Sequence, residues 1–463
     1  MSIEHSSVLA SPIDDVFEWH ARPGAFTRLA PPWQPVALVS ESESLADGTA
    51  VLQLPGGLTW VSRHDPSGYN PPHRFVDVIA KSGLTSLPVA ALLHWRHSHD
   101  FDDVDETHTR MTDRVKTPIG SRALRPMFRY RHRQLAEDLA AHRWGAAMRD
   151  TPMTVAVTGS TGLIGTALCA FLTTGGHTVI RLVRRPANGA HEREWNPANP
   201  AATLLEGVDA LVHLAGESIA NRFTEKHKRA VRESRIEPTR LLAELAAATP
   251  SGPKVFLSAS AIGIYGADRG DERVNETSTP GDGFLADVVA EWEGATAPAS
   301  TAGIRVAMIR TGIVQAAQGG SLKIYRPLYS AGLGGKVAGG QQWVSWIDID
   351  DLLDVYLRAL LDDRIVGPVN AVAPTPVRNA EYAKVLARVL KRPAILPVPA
   401  LGPRILLGTE GSKNIVEGGQ FVVSASLATV GHTFRRDELE ASLRHQLGRL
   451  LPPSADELTG ATP

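Results

Sequence analysis

A single cysteine among 463 residues excludes any internal disulfide, and Cys169 falls on the apolar face of a helical pattern, where it reads as core. An excess of either charge is missing too: 48 Lys and Arg against 49 Asp and Glu leave a formal net charge of −1. Such a chain has no long-range pull toward nucleic acid or an anionic membrane surface. No segment approaches the roughly eighteen consecutive apolar residues of a membrane-spanning helix, and MSIEHSSVLASPIDD has no basic stretch followed by an apolar one. The expectation is a cytoplasmic protein with no nucleic-acid partner and no membrane span. At 43% hydrophobic and 21% charged, the chain has material for two or three buried cores.

What is present is organised around residues 154–165, TVAVTGSTGLIG. Val155, Ala156 and Val157 suit a buried parallel strand, and Ile164, Ala167, Leu168, Phe171 and Leu172 recur at helical spacing until Gly175 and Gly176. Gly159, Ser160, Thr161, Gly162, Leu163, Ile164 and Gly165 therefore carry the chain from strand into helix. The missing Cβ atoms let backbone N–H groups approach a pyrophosphate at the positive end of that helix. The cofactor expected is a dinucleotide. Residues 178–183 read as a second strand ending in Arg184 and Arg185, where an NAD-binding fold carries an acid for the ribose 2′-hydroxyl. Arg184 favours NADP, because a guanidinium forms a paired, charge-assisted bond to the 2′-phosphate that an acid would repel.

A third strand, 210–214, ends in His213, Leu214, Ala215 and Gly216, small residues past which an adenine and ribose fit, with Glu217 next. A fourth, 254–257, ends in Ser258, Ala259 and Ser260. Alternation with helices at 223–233 and 238–248 predicts a right-handed, doubly wound parallel sheet whose crevice lies at the carboxyl ends of its strands. The acids Asp348, Asp350 and Asp351 precede an apolar periodic run and read as a helix start, so no metal site is assigned to them. A proline-rich connector is read over 393–403, and a frayed tail from Pro452.

Residues 1–148 differ in character. A strand, a short helix opened by Pro12 to Asp15, strand-like runs at 36–39, 50–54, 58–61, 74–79, 91–99 and 107–115, and a closing helix at 127–142 follow one another. This order resembles the helix-grip fold of the START-like and polyketide-cyclase-like superfamily, which implies an apolar ligand held between sheet and helix; the alternative is a packed accessory domain. His97 and His99 share one face of a strand, but no cysteine or third ligand stands nearby in sequence, so they read as a polar strand face. The basic run from Arg110 to Arg133, with Asp113 as its single acid, reads as a solvated or domain-facing helix. With the aperiodic AAMRDTP at 146–152 as linker, the expected domains are 1–148, an α+β helix-grip domain, and 152–450, an α/β Rossmann-like domain with a small C-terminal substrate lobe.

The glycine turn, His213 to Gly216, Ser258-Ala-Ser260 followed by Tyr265-Gly266, and Trp346-Ile-Asp348-Ile-Asp350-Asp351-Leu352 together resemble an extended short-chain dehydrogenase/reductase, and more closely its branch of nucleoside-diphosphate-sugar epimerases. Gly216-Glu217-Ser-Ile, Ser234-Arg235, Arg310-Thr-Gly-Ile-Val, Val369-Asn370-Ala-Val-Ala-Pro374 and Leu390-Lys-Arg-Pro393 are similar to that branch in particular. The resemblance implies an NADP-binding core and a small-molecule substrate such as a nucleotide sugar, with Ser258 and Arg235 beside the cofactor. It also brings a departure. The superfamily pairs a Tyr with a Lys four residues on, which lowers the phenol's pKa for proton exchange. None of the seven tyrosines here has that partner, Phe284 and Val288 stand where the pair would fall, and no lysine occurs between Lys254 and Lys323. Three readings stay open: an epimerase or reductase in which Ser260, Tyr265 or Glu217 serves as the acid, with Ser260 and Tyr265 assigned as catalytic; a non-catalytic NADP(H)-binding sensor or scaffold; or a carrier of an apolar ligand through the N-terminal domain.

Overall fold

The computed structural model describes residues 2–394 and 401–451. Of the connector read over 393–403, residues 395–400 lie outside the described residues, as does the tail from Pro452. Contacts divide the chain into two compact units, one of residues 1–144 with 170–176 and 444 onward, the other of residues 145–169 and 177–443.

The first unit is built on β1 (Ser2–Leu9), α1 (Ile13–Ala21), α2 (Ala25–Leu29), β2 (Ala37–Ser40), β3 (Thr49–Gln53), β4 (Thr59–His64), β5 (Arg74–Ala80), α3 (Leu87–Leu92), β6 (Arg96–Asp105), β7 (His108–Lys116) and α4 (Ser121–Met148). Its seven strands form one antiparallel sheet in the order β1-β7-β6-β5-β4-β3-β2. Phe75, Phe101 and Met111 on the sheet pack with Phe17 and Trp19 of α1 and with Leu135 and Leu139 of α4, so the space between sheet and helices is filled by apolar side chains. Two sequence expectations shift here. Residues 91–99 are not one strand, because Pro88 in the first turn suits a helix start and α3 takes the chain to Leu92 before β6 begins. The closing helix starts at Ser121 and carries Pro126 inside it. The basic run is split between elements: Arg110, Arg114 and Lys116 lie on β7, where Arg114 pairs with Glu4 and Asp100, and the remainder lie on α4.

In the second unit β8 (Thr154–Thr158), α5 (Leu163–Thr174), β9 (Thr178–Val183), β10 (Glu192–Glu194), β11 (Ala210–His213), α6 (Glu225–Glu233), α7 (Ile236–Ala248), β12 (Val255–Ala261), β13 (Asp268–Val274), α8 (Phe284–Gly294), α9 (Ala297–Thr301), β14 (Arg305–Thr311), β15 (Ile313–Gln315), α10 (Gly320–Ser330), β16 (Trp343–Val344), β17 (Trp346–Asp348), α11 (Ile349–Leu361) and β18 (Gly367–Ala371) follow in turn. Seven of these strands form a parallel sheet in the order β10-β9-β8-β11-β12-β14-β18. Its central strands are apolar on both faces: every residue of β11 is buried, as are Val155 to Thr158 of β8. From β8 the chain winds outward to β9 and β10, then returns to β11 and winds the other way. The order therefore reverses between β8 and β11, and the crevice of a doubly wound sheet opens at that reversal. Short pairs β13 with Gly419–Val422 and β16 with Val377–Arg378 lie beyond the main sheet. Among the described residues no helix is long and apolar enough to cross a membrane. The acids of 348–351 do open a helix, with the Asp348 carboxylate accepting from the Asp350 N–H.

Candidate functional site

At the reversal, β8 ends on Thr158 and β11 ends on His213, side by side in register. One hydroxyl ties them together. Thr158 Oγ1 accepts from the N–H groups of Leu214 and Ala215 at 3.1 and 3.2 Å and lies 2.7 Å from His213 Nδ1. With both acceptor positions used, its own proton goes to the imidazole, which leaves His213 neutral with the proton on Nε2. Burial, with Arg235 adding to it, pushes the His213 pKa down to about 3. Thr158 carried no role in the sequence reading, since a threonine closing an apolar strand gives no signal of its own.

Gly159 turns the chain with φ +66°, and a Cβ there would stand 2.8 Å from the Leu214 carbonyl carbon. The two strand ends approach so closely that only glycine fits. A Cβ on Gly165 would collide with the Gly159 carbonyl, so the first turn of α5 sits directly beneath the bend. Thr161 and Gly162 are exposed on top of it, Leu163 and Ile164 half-buried, and Ser160 buried. The first N–H groups of α5 have no partner within the helix and carry its positive end. Across the crevice Leu214 and Ala215 are half-buried, and Gly216 and Glu217 exposed. The Glu217 N–H donates to Ser234 Oγ at 2.9 Å. Arg235, half-buried, lies against Gly216, donates to the Val231 carbonyl at 3.0 Å and stacks over Trp292 at 5.1 Å. Burial draws its pKa down to about 10, against the pull of Glu217.

Beyond the end of β9 the two arginines part company. Arg185 is held by Glu192, with both guanidinium N–H groups donating at 2.7 Å. Arg184 is exposed and makes no hydrogen bond or ion pair among the described residues. Since Thr158 pairs with Leu182, Arg184 stands just past the level of the glycine bend.

The ends of β12 and β14 hold a different arrangement. Ser258, buried, lies opposite His213 and donates to the Ala259 carbonyl at 3.1 Å. Ser260 pairs with Arg310 across the sheet and donates to Glu293 Oε1 at 2.5 Å. Glu293, on α8, takes Arg310 in a two-pronged ion pair with both distances 2.8 Å. Arg310 also donates to Tyr265 Oη at 3.0 Å, and that hydroxyl lies 2.8 Å from Asn370 Oδ1 and 2.9 Å from the Asn275 carbonyl. Burial pushes the Tyr265 phenol above its ordinary range, only partly offset by Arg310. Burial alone would lower Arg310, but Glu293 outweighs it and holds the guanidinium charged. Tyr265 is wholly enclosed, with no exposed surface, and Ser260 keeps 5%. The two residues assigned as proton donors are thus joined to one another through Glu293 and Arg310, neither of which the sequence reading named as a site residue. A charged residue inside the apolar strand VAMIRT was the available signal. On α8, Val288 is buried and Phe284 packs edge-on to Phe223, 5.9 Å between centroids.

Residues 155–371 match the NAD dependent epimerase/dehydratase family, and residues 398–446 match a domain of unknown function (DUF1731). An epimerase family protein of Mycobacterium leprae is 38% identical over 298 residues, which are 64% of this chain and 96% of that relative. The crystal structure of the nucleoside-diphosphate sugar epimerase from Corynebacterium glutamicum is 45% identical with a TM-score of 0.84, covering 96% of this chain and 90% of that one. The human epimerase family protein SDR39U1, solved with NADPH, is 31% identical with a TM-score of 0.60, covering 64% and 100%.

Proposed function

We propose that this chain, which belongs to the NAD dependent epimerase/dehydratase family, binds NADPH in the crevice between β8 and β11 and acts there on a nucleotide sugar. The observation that carries the cofactor half is the unpartnered, exposed Arg184 standing beside the glycine bend. In this reading the N–H groups from Ser160 to Gly165, other than that of Gly162, which donates to the Gly159 carbonyl at 3.0 Å, hold the pyrophosphate, and Arg184 takes the 2′-phosphate in a charge-assisted pair. Leu214 to Glu217 line the nucleoside on the other side, with Ser258 and Arg235 next to the nicotinamide end. The NADPH bound to the human relative supports the choice of cofactor. The name of the Corynebacterium protein supports the substrate class.

For the chemistry, Ser260 is the group we assign to touch the substrate, because its hydroxyl is fixed by Glu293 and it keeps 5% exposure where Tyr265, the other candidate, keeps none. Tyr265 serves as a positioning residue that holds Arg310. A second reading, an NADPH-binding sensor without turnover, is favoured by the enclosure of Tyr265 and by Phe284 and Val288 on α8. We assign the parallel-sheet domain to residues 152–450 and a helix-grip domain to residues 1–148. The Phe17, Phe75, Phe101 and Leu135 filling between its sheet and helices favours a packed accessory domain over a carrier of an apolar ligand. Buried Cys169, the only cysteine, fits the reducing cytoplasm.

Titration with NADPH and NADH, followed by NADPH oxidation with carbonyls, NADP+ reduction with nucleotide sugars and product analysis of those sugars for redox-neutral epimerisation, tests both halves. Tighter NADPH binding with turnover that falls in Ser260→Ala is the expected result. Tight NADPH binding without turnover on any substrate selects the sensor, and equal, weak binding of both cofactors removes the role given to Arg184.

A further inference from the structure

The antiparallel sheet gathers titratable side chains in a second place, wholly within the first unit. Asp77 of β5 pairs directly with His97 of β6, and His99 pairs with Asp113 of β7. Directly opposed residues and residues two apart share a face, so the register alone brings these four together. The face is buried: His97 is 4% exposed, His99 3% and Asp113 1%. The strand face is polar, as the sequence reading has it, but it is buried, and the register supplies the third candidate ligand that the linear sequence did not show.

Asp77 Oδ2 lies 3.2 Å from His97 Nδ1 and 3.5 Å from His99 Nε2. The edge of a tetrahedron with metal–ligand bonds of about 2 Å is roughly 3.3 Å. The ligand atoms of the three residues all fall within 4.8 Å of one another. On the far side of the two rings Asp113 Oδ1 lies 3.1 Å from His97 Nε2 and 2.8 Å from His99 Nδ1. Both carboxylates are anchored from behind. Ser62 and the Trp95 indole donate to Asp77 Oδ1, while His132 lies 3.1 Å from Asp113 Oδ2 with its other nitrogen 2.6 Å from Ser7 Oγ. The cluster atoms without an aligned hydrogen bond lie on the Asp113 side of the two rings, not on the Asp77 side. His97 Nε2, His99 Nδ1 and Asp113 Oδ1 are buried without an aligned hydrogen bond, and so is Nε2 of His20, whose ring centre lies 6.1 Å from that of His99.

We propose that Asp77, His97 and His99 bind a divalent first-row transition ion, zinc being the type, with Asp113 orienting the two imidazoles. Two neutral imidazoles are the ligating form, and a divalent cation balances the two buried carboxylates. Two histidines and one carboxylate leave a coordination position open, as in catalytic rather than structural zinc sites. Asp77 keeps 15% of its side chain exposed, which gives the ion a way in. A carboxylate taking the outer N–H of a ligating histidine is the usual support for such a site.

The test uses the full chain, stripped with a chelator and titrated with Co2+ and then Zn2+. One ion per chain is expected, with the visible absorption of low-coordinate Co2+ bleached by Zn2+. His97→Ala and His99→Ala should abolish the signal, and Asp113→Asn should weaken affinity about 10–100-fold with stoichiometry kept. Because these groups are buried, Asp77→Asn serves as the mild variant, and wild-type protein is also read by the rise in Tm on adding Zn2+. Absence of saturable binding in wild-type protein, or one ion bound equally well by the folded His97, His99 and Asp77 variants, overturns the site; the cluster is then a metal-free set of ion pairs.

Discussion

The two ends of the crevice in the parallel-sheet unit are made of different materials. Where β8 and β11 end, the protein offers backbone, glycine and exposed side chains, locked from below by the Thr158 hydroxyl. Where β12 and β14 end, it buries a chain of side chains from Ser260 through Glu293 and Arg310 to Tyr265 and Asn370. A backbone cradle recognises a phosphate whatever the attached chemistry, so it specifies a ligand. A buried charged network recognises nothing until a group of the substrate reaches its edge, so its first effect is on the fold. On the proposed reading, the first end holds the cofactor independently of the chemistry that the second end supports.

The sharpest way to break this contrast is Glu293→Gln. It leaves Arg310 charged and uncompensated in a pair whose side chains are 8% and 11% exposed. Removing one member of a buried ion pair costs about 3–5 kcal/mol. Urea unfolding should show that loss, and a cost under about 1 kcal/mol would mean the network is not structural. At the other end, Thr158→Val strips two backbone N–H groups of their acceptor and should cost about 2 kcal/mol, with weaker NADPH binding as the strand ends separate; unchanged binding would detach Thr158 from the cradle.

A pH series sharpens the same comparison. The folded state holds His213 neutral down to about pH 3, whereas an unfolded chain protonates it near 6.5. The unfolded state therefore binds the extra proton between those values. The stability that depends on a neutral His213 is whole above pH 6.5 and is lost as the pH falls toward 3. Between pH 7 and 5 this amounts to about 2 kcal/mol. His213→Asn should flatten the decline by that amount, and parallel curves for the two proteins would show that other groups govern it.

Local chemistry was legible in the sequence; distant pairing was not. The bend at Gly159, the strands around it and the reversal of the sheet follow from apolar runs and glycine spacing, both local signals. The sequence reading places Ser260 and Tyr265 after the fourth strand, whereas Ser260 lies on β12 itself, and their connection runs through Glu293 and Arg310, 33 and 50 positions from Ser260. The same limit applied to the first unit. His97 and His99 share a strand and are visible as a pair, whereas Asp77 and Asp113 reach them only through strand register, which a linear pattern does not specify when hairpin lengths vary. Pro88 and Pro126 show the smaller failure, a helix boundary shifted by a residue the helix tolerates.

Arg184 and Arg185 give the smallest and most discriminating test. They are adjacent, both exposed, and chemically identical, so total charge and general electrostatic attraction to a phosphate change equally when either is removed. They differ in one respect: Arg185 is committed to Glu192 through two bonds of 2.7 Å, and Arg184 is not. A guanidinium already paired with a carboxylate must give up that pair to bind phosphate, while a free one gives up only water. Arg184→Ala should therefore weaken NADPH about tenfold, near 1.4 kcal/mol, and leave NADH unchanged. Arg185→Ala should alter neither by more than about twofold, within the effect expected of an exposed ion pair. Equal losses for the two variants would mean that the end of β9 contributes only diffuse positive charge, and the preference for the 2′-phosphate would then have to come from the Leu214 to Arg235 side of the crevice.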